Sequence, residues 1–146
     1  MDHSELDKYK LSNIAMDSRG FLGRLDFKDI PFIPCSLFFI SNVPLATSRG
    51  DHAHRFVHQY LIVINGSIAI ETESVGGVQL KEQLIFGEAR HIPPMIWTRI
   101  EFLELGTTIL VLTSGDYDEL EFIRDRSQFR ALNSQIGVVN SMNQNG

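Results

Sequence analysis

Two histidines separated by a single residue, His52 and His54, are the side chains whose spacing most directly predicts chemistry. They precede a strand-like run from Gln59 to Ile64, which stops at an Asn-Gly turn. Residues i and i+2 of an extended segment point to the same face, so both imidazoles are expected to project together. Two imidazoles on one rigid wall can bind a metal ion or transfer protons near neutral pH.

The elements that position these histidines are predicted to be β-strands. Short apolar runs are separated by turn residues at intervals of roughly 8 to 12 residues, the spacing expected of a sandwich or barrel. The turns fall at Asp17-Ser18-Arg19-Gly20, Asn65-Gly66 and Gly76-Gly77. A short helix is predicted within Asp118 to Ala131, where the apolar residues are partly amphipathic. The predicted strands are Tyr9 to Ile14, Phe21 to Phe27, Ser36 to Asn42, Gln59 to Asn65, Ser67 to Thr72, Gln79 to Phe86, Arg90 to Ile92, Thr98 to Leu103 and Thr108 to Thr113.

Length and composition predict one domain. The 146 residues, of which 43% are hydrophobic, suffice for one core but are too few for two. We therefore predict a single domain over 1–133, followed by a polar and flexible tail over 134–146.

Charge, hydropathy and cysteine content argue against several classes of protein. The formal net charge is -5 and no Lys/Arg run is present, so a nucleic acid polymer is not an expected partner. No segment is apolar enough to span a membrane, and the polar N-terminus is unlike a signal peptide. The single cysteine, Cys35, lies in an apolar stretch, which predicts a buried thiol in a reducing cytoplasm.

The histidines belong to a longer motif, Arg49-Gly50-Asp51-His52-Ala53-His54, which is followed by His58-Gln59 and Asn65-Gly66-Ser67. With these motifs, the chain resembles the bacterial sugar-nucleotide 3,4-ketoisomerases, the WxcM-like cupins. The resemblance extends from Ile14 to Phe129. The other matching motifs are Asp17-x-Arg19-Gly20, Ile92-Pro93-Pro94 with Trp97, Val111-Leu112, Tyr117-Asp118-Glu119 and Ile123-Arg124-Asp125.

The resemblance implies a mostly β fold, the cupin double-stranded β-helix (jelly-roll barrel), with a short C-terminal helix. It implies a cytoplasmic homodimer that works without a metal or other cofactor on dTDP-4-keto-6-deoxyglucose. The carbonyl moves from C4 to C3, and the 3-keto product is then aminated for surface glycans such as the lipopolysaccharide O-antigen. The matching family histidines are catalytic, so we predict that His52 and His54 are the catalytic residues here.

Ketone isomerisation suits a pair of histidines. A proton must leave C3, an enediolate must be stabilised and a proton must return at C4, so the site needs a base whose pKa lies near neutral. Histidine meets this need without extreme tuning, and two on one face can divide the work. Which of the two takes the C3 proton stays open.

Metal binding is a less favoured interpretation of the pair. Metal-binding cupins usually place a glutamate after the His-x-His motif and a third histidine on a later strand, whereas this chain has Gln59 and Thr98 there. Two imidazoles and a neutral amide hold a transition metal poorly. We therefore predict no metal ligands, and a metal-dependent oxygenase is the remotest alternative.

Three arginines and a glutamine are candidate substrate-binding residues. Arg49 could stabilise enediolate charge or a phosphate oxygen, and Arg99 and Arg124 are further candidates for the diphosphate. Gln59 could bind a hydroxyl or fix a histidine tautomer. For Arg124, which lies in an acidic segment, a solvated ion pair is an equally good interpretation.

Aromatic residues are candidates of a second kind. Trp97 and Tyr60 offer flat surfaces for the sugar or the thymine, although an aromatic residue in an apolar neighbourhood more often belongs to the core. For His58 and His91 we favour structural roles.

One segment departs from the family pattern. Ketoisomerases commonly carry Arg-x-Tyr-Tyr in the strand before the histidines, whereas this chain has Ser36-Leu37-Phe38-Phe39. A lost hydrogen bond costs about 1 to 3 kcal/mol, so a lower rate or a changed sugar is expected rather than a loss of catalysis.

Two alternative functions stay open. A noncatalytic cupin of polysaccharide assembly would bind the sugar nucleotide without exchanging the C3 hydrogen. A 3,5-epimerase-like cupin enzyme would also use a histidine base, but it would need a tyrosine acid and an Arg/Lys spacing that are not found here.

Overall fold

Two five-stranded antiparallel sheets and a separate two-stranded hairpin account for the strands of the computed structural model, which describes residues 8–11 and 13–133. The first sheet has the order β1-β9-β6-β11-β4, and the second has the order β12-β5-β10-β7-β8. Strands β2 and β3 form the hairpin, and helix α1 covers residues 126–133. The strands are β1 Lys8–Lys10, β2 Asn13–Asp17, β3 Gly20–Arg24, β4 Ser36–Ile40, β5 Ser48–His54, β6 Gln59–Asn65, β7 Ser67–Ser74, β8 Gln79–Ile85, β9 Glu88–Ile92, β10 Ile96–Phe102, β11 Thr108–Thr113 and β12 Phe122–Ile123.

The main core fills the space between the two sheets. Leu61 and Val63 of the first sheet pack with Ile70 and Ile100 of the second, and all four are buried. These residues alternate along their strands with outward-facing ones, as expected where one face of each sheet is covered. The prediction of a mostly β fold is therefore confirmed. No helix among the described residues is long and apolar enough to cross a membrane.

Most predicted strands are present, and three regions differ from the prediction. The N-terminal run forms two separate strands, β1 and β2, and the segment before the histidines forms strand β5, which was not predicted. The helix begins at residue 126 rather than at Asp118, because Glu119–Glu121 form a 3-10 turn and β12 follows. Asp118 caps this turn by accepting a hydrogen bond from the Leu120 backbone amide. The tail over 134–146 lies outside the described residues.

The prediction of a buried Cys35 is wrong, because this residue is exposed. It lies just before edge strand β4, where its backbone amide donates to the Thr113 carbonyl and its thiol contacts the Ser114 carbonyl at 3.2 Å. An apolar neighbourhood in the sequence therefore did not indicate burial here.

A bulge in strand β5 sets the direction of the histidine pair. His52 pairs with Thr98 and Gly50 pairs with Arg99, so Asp51 is an extra residue. Both bulge residues have positive φ, 90° at Gly50 and 54° at Asp51. A Cβ at Gly50 would lie 2.7 Å from the Thr98 carbonyl oxygen, so glycine is required where the two strands approach.

The C-terminal helix is held on the outer face of the second sheet by a buried carboxylate. Glu73 accepts from Arg126 at 2.6 Å and from Arg130 at 2.9 Å. Phe129 is fully buried beside Trp97, with their rings 5.8 Å apart. The helix therefore covers the only tryptophan of the chain.

We expect Glu73→Ala to loosen this helix. The charge-assisted hydrogen bonds from both arginines are lost, so the free energy of unfolding should fall by about 1 to 3 kcal/mol. Trp97 fluorescence should shift to the red, and quenching by acrylamide should increase. Glu71→Ala is the matched control, because Glu71 forms an exposed ion pair with Lys81 on the neighbouring strand. Equal effects of the two changes would contradict the anchoring role of Glu73.

Candidate active site

An open cavity of about 670 Å³ lies at one end of the space between the sheets. Strands β4, β5 and β6 form its walls, and the segment from Thr113 to Arg124 forms its rim. Its volume is within the range of sites that hold small molecules. The lining residues are Ser36, Leu37, Phe38, Ile40, Ser48, Arg49, Gly50, His52, His54, Val57, Gln59, Thr113, Gly115, Asp116, Tyr117, Asp118, Glu121, Phe122 and Arg124.

The structure brings His52 and His54 together on one wall of this cavity, as their spacing predicts. Their ring centroids are 5.1 Å apart with the planes nearly perpendicular. The Phe122 ring contacts both, at 4.9 Å from His52 and 4.6 Å from His54. Strand β12 supplies this phenylalanine by pairing with the end of β5, where Phe122 is opposite His54. The pair therefore has a fixed apolar support.

The tautomer of His52 follows from its backbone contact. Its Nδ1 lies 3.0 Å from the Gly50 carbonyl oxygen. A carbonyl only accepts, so Nδ1 carries the proton and Nε2 of the neutral ring keeps its lone pair. Burial lowers the pKa of His52 below its ordinary value. The ring is therefore neutral at physiological pH, with one nitrogen able to accept a proton.

His54 is more buried than His52, and neither of its ring nitrogens has a hydrogen-bond partner among the described residues. Burial, and next the neighbouring His52, lower the pKa of His54 to about 4. The Glu121 carboxylate opposes this shift, with its Oε2 at 3.7 Å from Nδ1 of His54. His54 is thus a second neutral imidazole that faces the cavity.

Arg49 lies on the same wall because of the β5 bulge. Residues 49 and 52 are an odd number of positions apart, so a regular strand would send their side chains to opposite faces. Here Arg49 pairs with Ile100 and His52 pairs with Thr98, two β10 residues that both face inward. Gln59 also lines the cavity, from β6. Among residues 8–11 and 13–133, Arg49 forms no ion pair, so its guanidinium is available to a ligand.

Arg124 also lines the cavity, but it is engaged by a carboxylate. Its Nε and Nη2 donate to the Glu119 carboxylate at 2.6 Å and 3.1 Å, and its guanidinium stacks 4.3 Å from the Phe122 ring centroid. Tyr117 donates to the same carboxylate at 2.5 Å. Both sequence interpretations of Arg124 therefore apply: it forms an exposed ion pair, and it lies at the mouth of the cavity.

Three predicted substrate-binding residues lie outside the cavity. Trp97 and Arg99 alternate with the inward-facing Thr98 and so point to the outer face of the second sheet. Trp97 packs there against α1, and Arg99 lies 3.7 Å from Asp51. Tyr60 is buried on the outer face of the first sheet, with its ring 5.5 Å from that of Tyr9. Trp97 and Tyr60 are therefore packed, buried residues, as the alternative interpretation of both aromatic side chains predicts.

The second histidine pair, His58 and His91, has structural contacts. Nδ1 of His58 lies 2.9 Å from Nε2 of His91, the rings stack, and the Phe32 ring packs against both. Neither histidine lines the cavity. This arrangement agrees with the structural roles favoured from the sequence.

Acid should destabilise the fold because of these four histidines. Burial lowers the pKa of His52, His54, His58 and His91, in the case of His54 and His91 to about 4. Below about pH 6.5 the unfolded chain therefore binds more protons than the folded protein does. The free energy of unfolding should fall as the pH is lowered from about 6.5 to 4, by ~1.4 kcal/mol for each unit by which a histidine pKa is lowered. Thermal unfolding across this range tests the prediction. In the double variant His58→Asn/His91→Asn, the free energy of unfolding should depend less steeply on pH. An unchanged pH dependence would contradict the contribution of these two histidines.

The substituted family positions on β4 face in different directions. Ser36 and Phe38 pair with the inward-facing Thr113 and Val111, whereas Phe39 points outward and is 69% exposed. Ser36 forms a hydrogen bond of 2.5 Å with Thr113. The cavity itself therefore differs from the family pattern at Ser36 and Phe38, where a guanidinium and a phenol are replaced by smaller or less polar groups.

The described residues contain no group of three or more His, Cys, Asp or Glu side chains that could hold a metal ion. Thr98, at the position of the missing third histidine, pairs directly with His52. Its hydroxyl donates to the Ile96 carbonyl at 3.4 Å. A metal-free reaction stays a prediction.

Tyr117, Glu121 and Phe122 are among the cavity residues that the sequence does not indicate. Tyr117 belongs to a motif that carries the family resemblance, so its position could have been suggested. Glu121 and Phe122 reach the histidines only because β12 pairs with β5. Neither apolar periodicity nor charge pattern indicates a two-residue strand of this kind.

The two antiparallel five-stranded sheets, with a cavity at one end of the space between them, define a protein of the cupin class. A solved structure of the epimerase rmlC from Mycobacterium tuberculosis has the same fold, with a TM-score of 0.70 at 14% identity over 84% of this chain and 69% of that one. The chain belongs to the FdtA family, described as WxcM-like, C-terminal, whose model matches residues 4–134. The predicted family and cupin fold are therefore confirmed.

Two more similar proteins are 3,4-ketoisomerases by name. The chain is 28% identical over 126 residues, 84% of its length and 89% of the relative's, to TDP-4-oxo-6-deoxy-alpha-D-glucose-3,4-oxoisomerase of Aneurinibacillus thermoaerophilus. It is similar to the sugar 3,4-ketoisomerase QdtA of Thermoanaerobacterium thermosaccharolyticum in complex with TDP, with a TM-score of 0.81 at 28% identity over 92% of this chain and 98% of that one. A QdtA mutant has been solved with TDP-4-keto-6-deoxyglucose.

Proposed function

We propose that this protein is a sugar-nucleotide 3,4-ketoisomerase that converts dTDP-4-keto-6-deoxyglucose to the dTDP-3-keto-6-deoxyhexose. The observation that carries the proposal is the pair of neutral imidazoles, His52 and His54, side by side on one cavity wall. The named activities of the similar proteins support the same substrate class.

The reaction needs proton transfers and no external oxidant or reductant. One imidazole takes the proton from C3, and the electron pair of the broken C3–H bond forms a C3–C4 double bond. The π electrons of the C4–O4 carbonyl move onto O4. The O3 proton then passes to O4, C3 becomes the carbonyl carbon, and C4 receives a proton from an imidazolium. General acid–base catalysis of this type contributes about 10²- to 10⁴-fold. His52 and His54 can divide these two steps because both face the cavity.

Arg49 is proposed to bind the diphosphate or the enediolate oxygen. Its planar guanidinium can donate two parallel hydrogen bonds to a phosphate, and it lies on the wall that carries the histidines. Arg124 is proposed to act at the mouth of the cavity, and Gln59 to bind a sugar hydroxyl. Because Ser36 and Phe38 replace polar family residues, the wall opposite these groups is less polar, and this bears on the exact sugar accepted.

A proton NMR time course with dTDP-4-keto-6-deoxyglucose in D₂O tests the function. Loss of the C3 proton with growth of a 3-keto product is the expected result, and the coupling at C4 gives the stereochemistry. Saturable line broadening without exchange at C3 would favour the noncatalytic binding protein. Exchange at C5 as well as C3 would favour the 3,5-epimerase-like alternative.

The homodimer is part of the proposal. Large apolar side chains are exposed on the β2–β3 hairpin and on edge strand β4, including Met16, Phe21, Leu22 and Phe39, each more than 60% exposed. A second copy would cover such a surface. Sedimentation equilibrium tests this part, and a monomer at micromolar concentration would contradict it.

Metal independence and cellular role complete the proposal. Activity should be unchanged by EDTA, and loss of activity that Fe²⁺, Mn²⁺ or Zn²⁺ restores would contradict it. We further propose a cytoplasmic location, a role in deoxyamino-sugar and O-antigen synthesis, and one cupin domain over 1–133. The family resemblance supports the role, and the length and composition of the chain support the single domain.

A further inference from the structure

Glu121 is a cavity residue whose carboxylate is held by the backbone. The Phe56 amide donates to it at 3.1 Å and the Val57 amide donates at 3.0 Å, both from the turn that follows β5. The Arg55 amide donates to the Glu121 carbonyl at 2.9 Å, so the two segments are also joined through the main chain. The side chain is only 13% exposed. Its position beside β5 is therefore fixed before any ligand binds.

The oxygen of this carboxylate that accepts from both amides, Oε2, also faces His54. Oε2 of Glu121 lies 3.7 Å from Nδ1 of His54, and both nitrogens of that imidazole are buried without a hydrogen-bond partner among the described residues. The other charged or titratable groups that act on His54 are His52, on the same strand, and Arg124, after β12. Both disfavour its protonated form, so Glu121 is the group that favours it.

We infer that Glu121 is a positioning residue that holds His54 with its proton on Nδ1 and balances the imidazolium formed when Nε2 accepts a proton from the sugar. An ionised carboxylate can only accept, so the ring nitrogen that faces it carries the hydrogen. The inference rests on the proposed function for the origin of that proton. The predicted tautomer of His54 is a property of the free protein.

Two substitutions separate this role from simple bracing of the turn. Glu121→Gln keeps the length of the side chain and one acceptor oxygen at the position that serves the Phe56 and Val57 amides and faces His54, but it removes the negative charge. It should lower the pKa of His54, because no anion balances the imidazolium, and lower kcat about 100-fold, with KM changed less than threefold. Glu121→Asp keeps the charge on a shorter side chain and should retain more activity than Glu121→Gln. A bracing role predicts the reverse order, because Gln preserves the hydrogen bonds of the turn better than Asp.

The experiment combines ¹⁵N-histidine NMR of the free protein with kinetics of the same variants. The expected results are a wild-type His54 protonated on Nδ1, the same tautomer in Glu121→Gln, and a lower pKa of His54 in that variant. Glu104→Gln is the control, since Glu104 accepts from Ser67 and does not line the cavity. A wild-type His54 protonated on Nε2, or Glu121→Gln within threefold of wild-type kcat, would overturn the inference. If wild type fails to exchange C3, the proposed function fails, while the tautomer still decides the role of Glu121.

Discussion

Replacing either His52 or His54 by asparagine is expected to lower kcat at least about 1000-fold, within the range that a general acid–base group supplies. Asparagine is polar and nearly as large as the five-membered ring, but it does not exchange protons near neutral pH. The side chains contact each other and Phe122 through ring faces and edges, so the cavity should keep its shape. Affinity for dTDP should change less than threefold, because the nucleotide does not need the imidazoles.

Rate and affinity are measured separately to test this prediction. Single-turnover conversion of dTDP-4-keto-6-deoxyglucose gives the rate, and calorimetry with dTDP gives the affinity. His58→Asn is the matched control, because His58 packs with His91 and Phe32 outside the cavity. Activity near wild type in both His52→Asn and His54→Asn would remove the proton-transfer role. Loss of dTDP binding in these variants would indicate a collapsed cavity instead.

The inward or outward direction of several residues was contained in the sequence. Alternation alone places His52 and His54 together, and it separates Thr98 from its neighbours Trp97 and Arg99. Thr98 is at the position where metal-binding cupins have a third histidine, whose side chain faces inward. The neighbouring residues Trp97 and Arg99 therefore face outward. Both side chains therefore point away from the cavity, toward the outer face of the second sheet.

Strand β5 could not be found by its composition. Ser48, Gly50 and Asp51 have low strand propensity, and the strand exists because it pairs with β10 along its length. The bulge at Gly50 and Asp51 then reverses the facing of Arg49 relative to the histidines. A single inserted residue of this kind leaves no periodic signal, so the shared wall of Arg49 and His52 is known only from the structure.

The conformation of the cavity rim, like that of strand β5, depends on pairing between residues that are distant in the sequence. Residues Glu119 to Ile123 have the composition of a helix, but they form a capped 3-10 turn and a two-residue strand. The competing contacts are the pairing of β12 with β5 and the hydrogen bonds that Glu121 accepts from the Phe56 and Val57 amides. Tertiary contacts therefore outweighed the weak helical preference of this segment.

Replacing Arg49 by methionine is expected to weaken dTDP binding about 10- to 100-fold, the equivalent of roughly 1.5 to 3 kcal/mol for hydrogen bonds to a charged group. Methionine keeps much of the apolar stem, so the change removes mainly the guanidinium. Because Arg124 is already paired with Glu119, Arg49 is the cavity arginine whose charge is available to a diphosphate. Arg49→Lys keeps the charge but loses the planar fork, and it should have an intermediate affinity.

Calorimetric titration with dTDP at two salt concentrations measures the effect, and Arg99→Met is the matched control. Arg99 has the same formal charge and lies at the neighbouring position in the β5–β10 pairing, but on the outer face of the sheet. If nonspecific attraction between a cation and the nucleotide were responsible, both variants would lose affinity equally, and the loss would disappear at high salt. Direct contact predicts a loss in Arg49→Met alone that persists at high salt. An unchanged affinity in Arg49→Met would place the diphosphate elsewhere on the cavity wall.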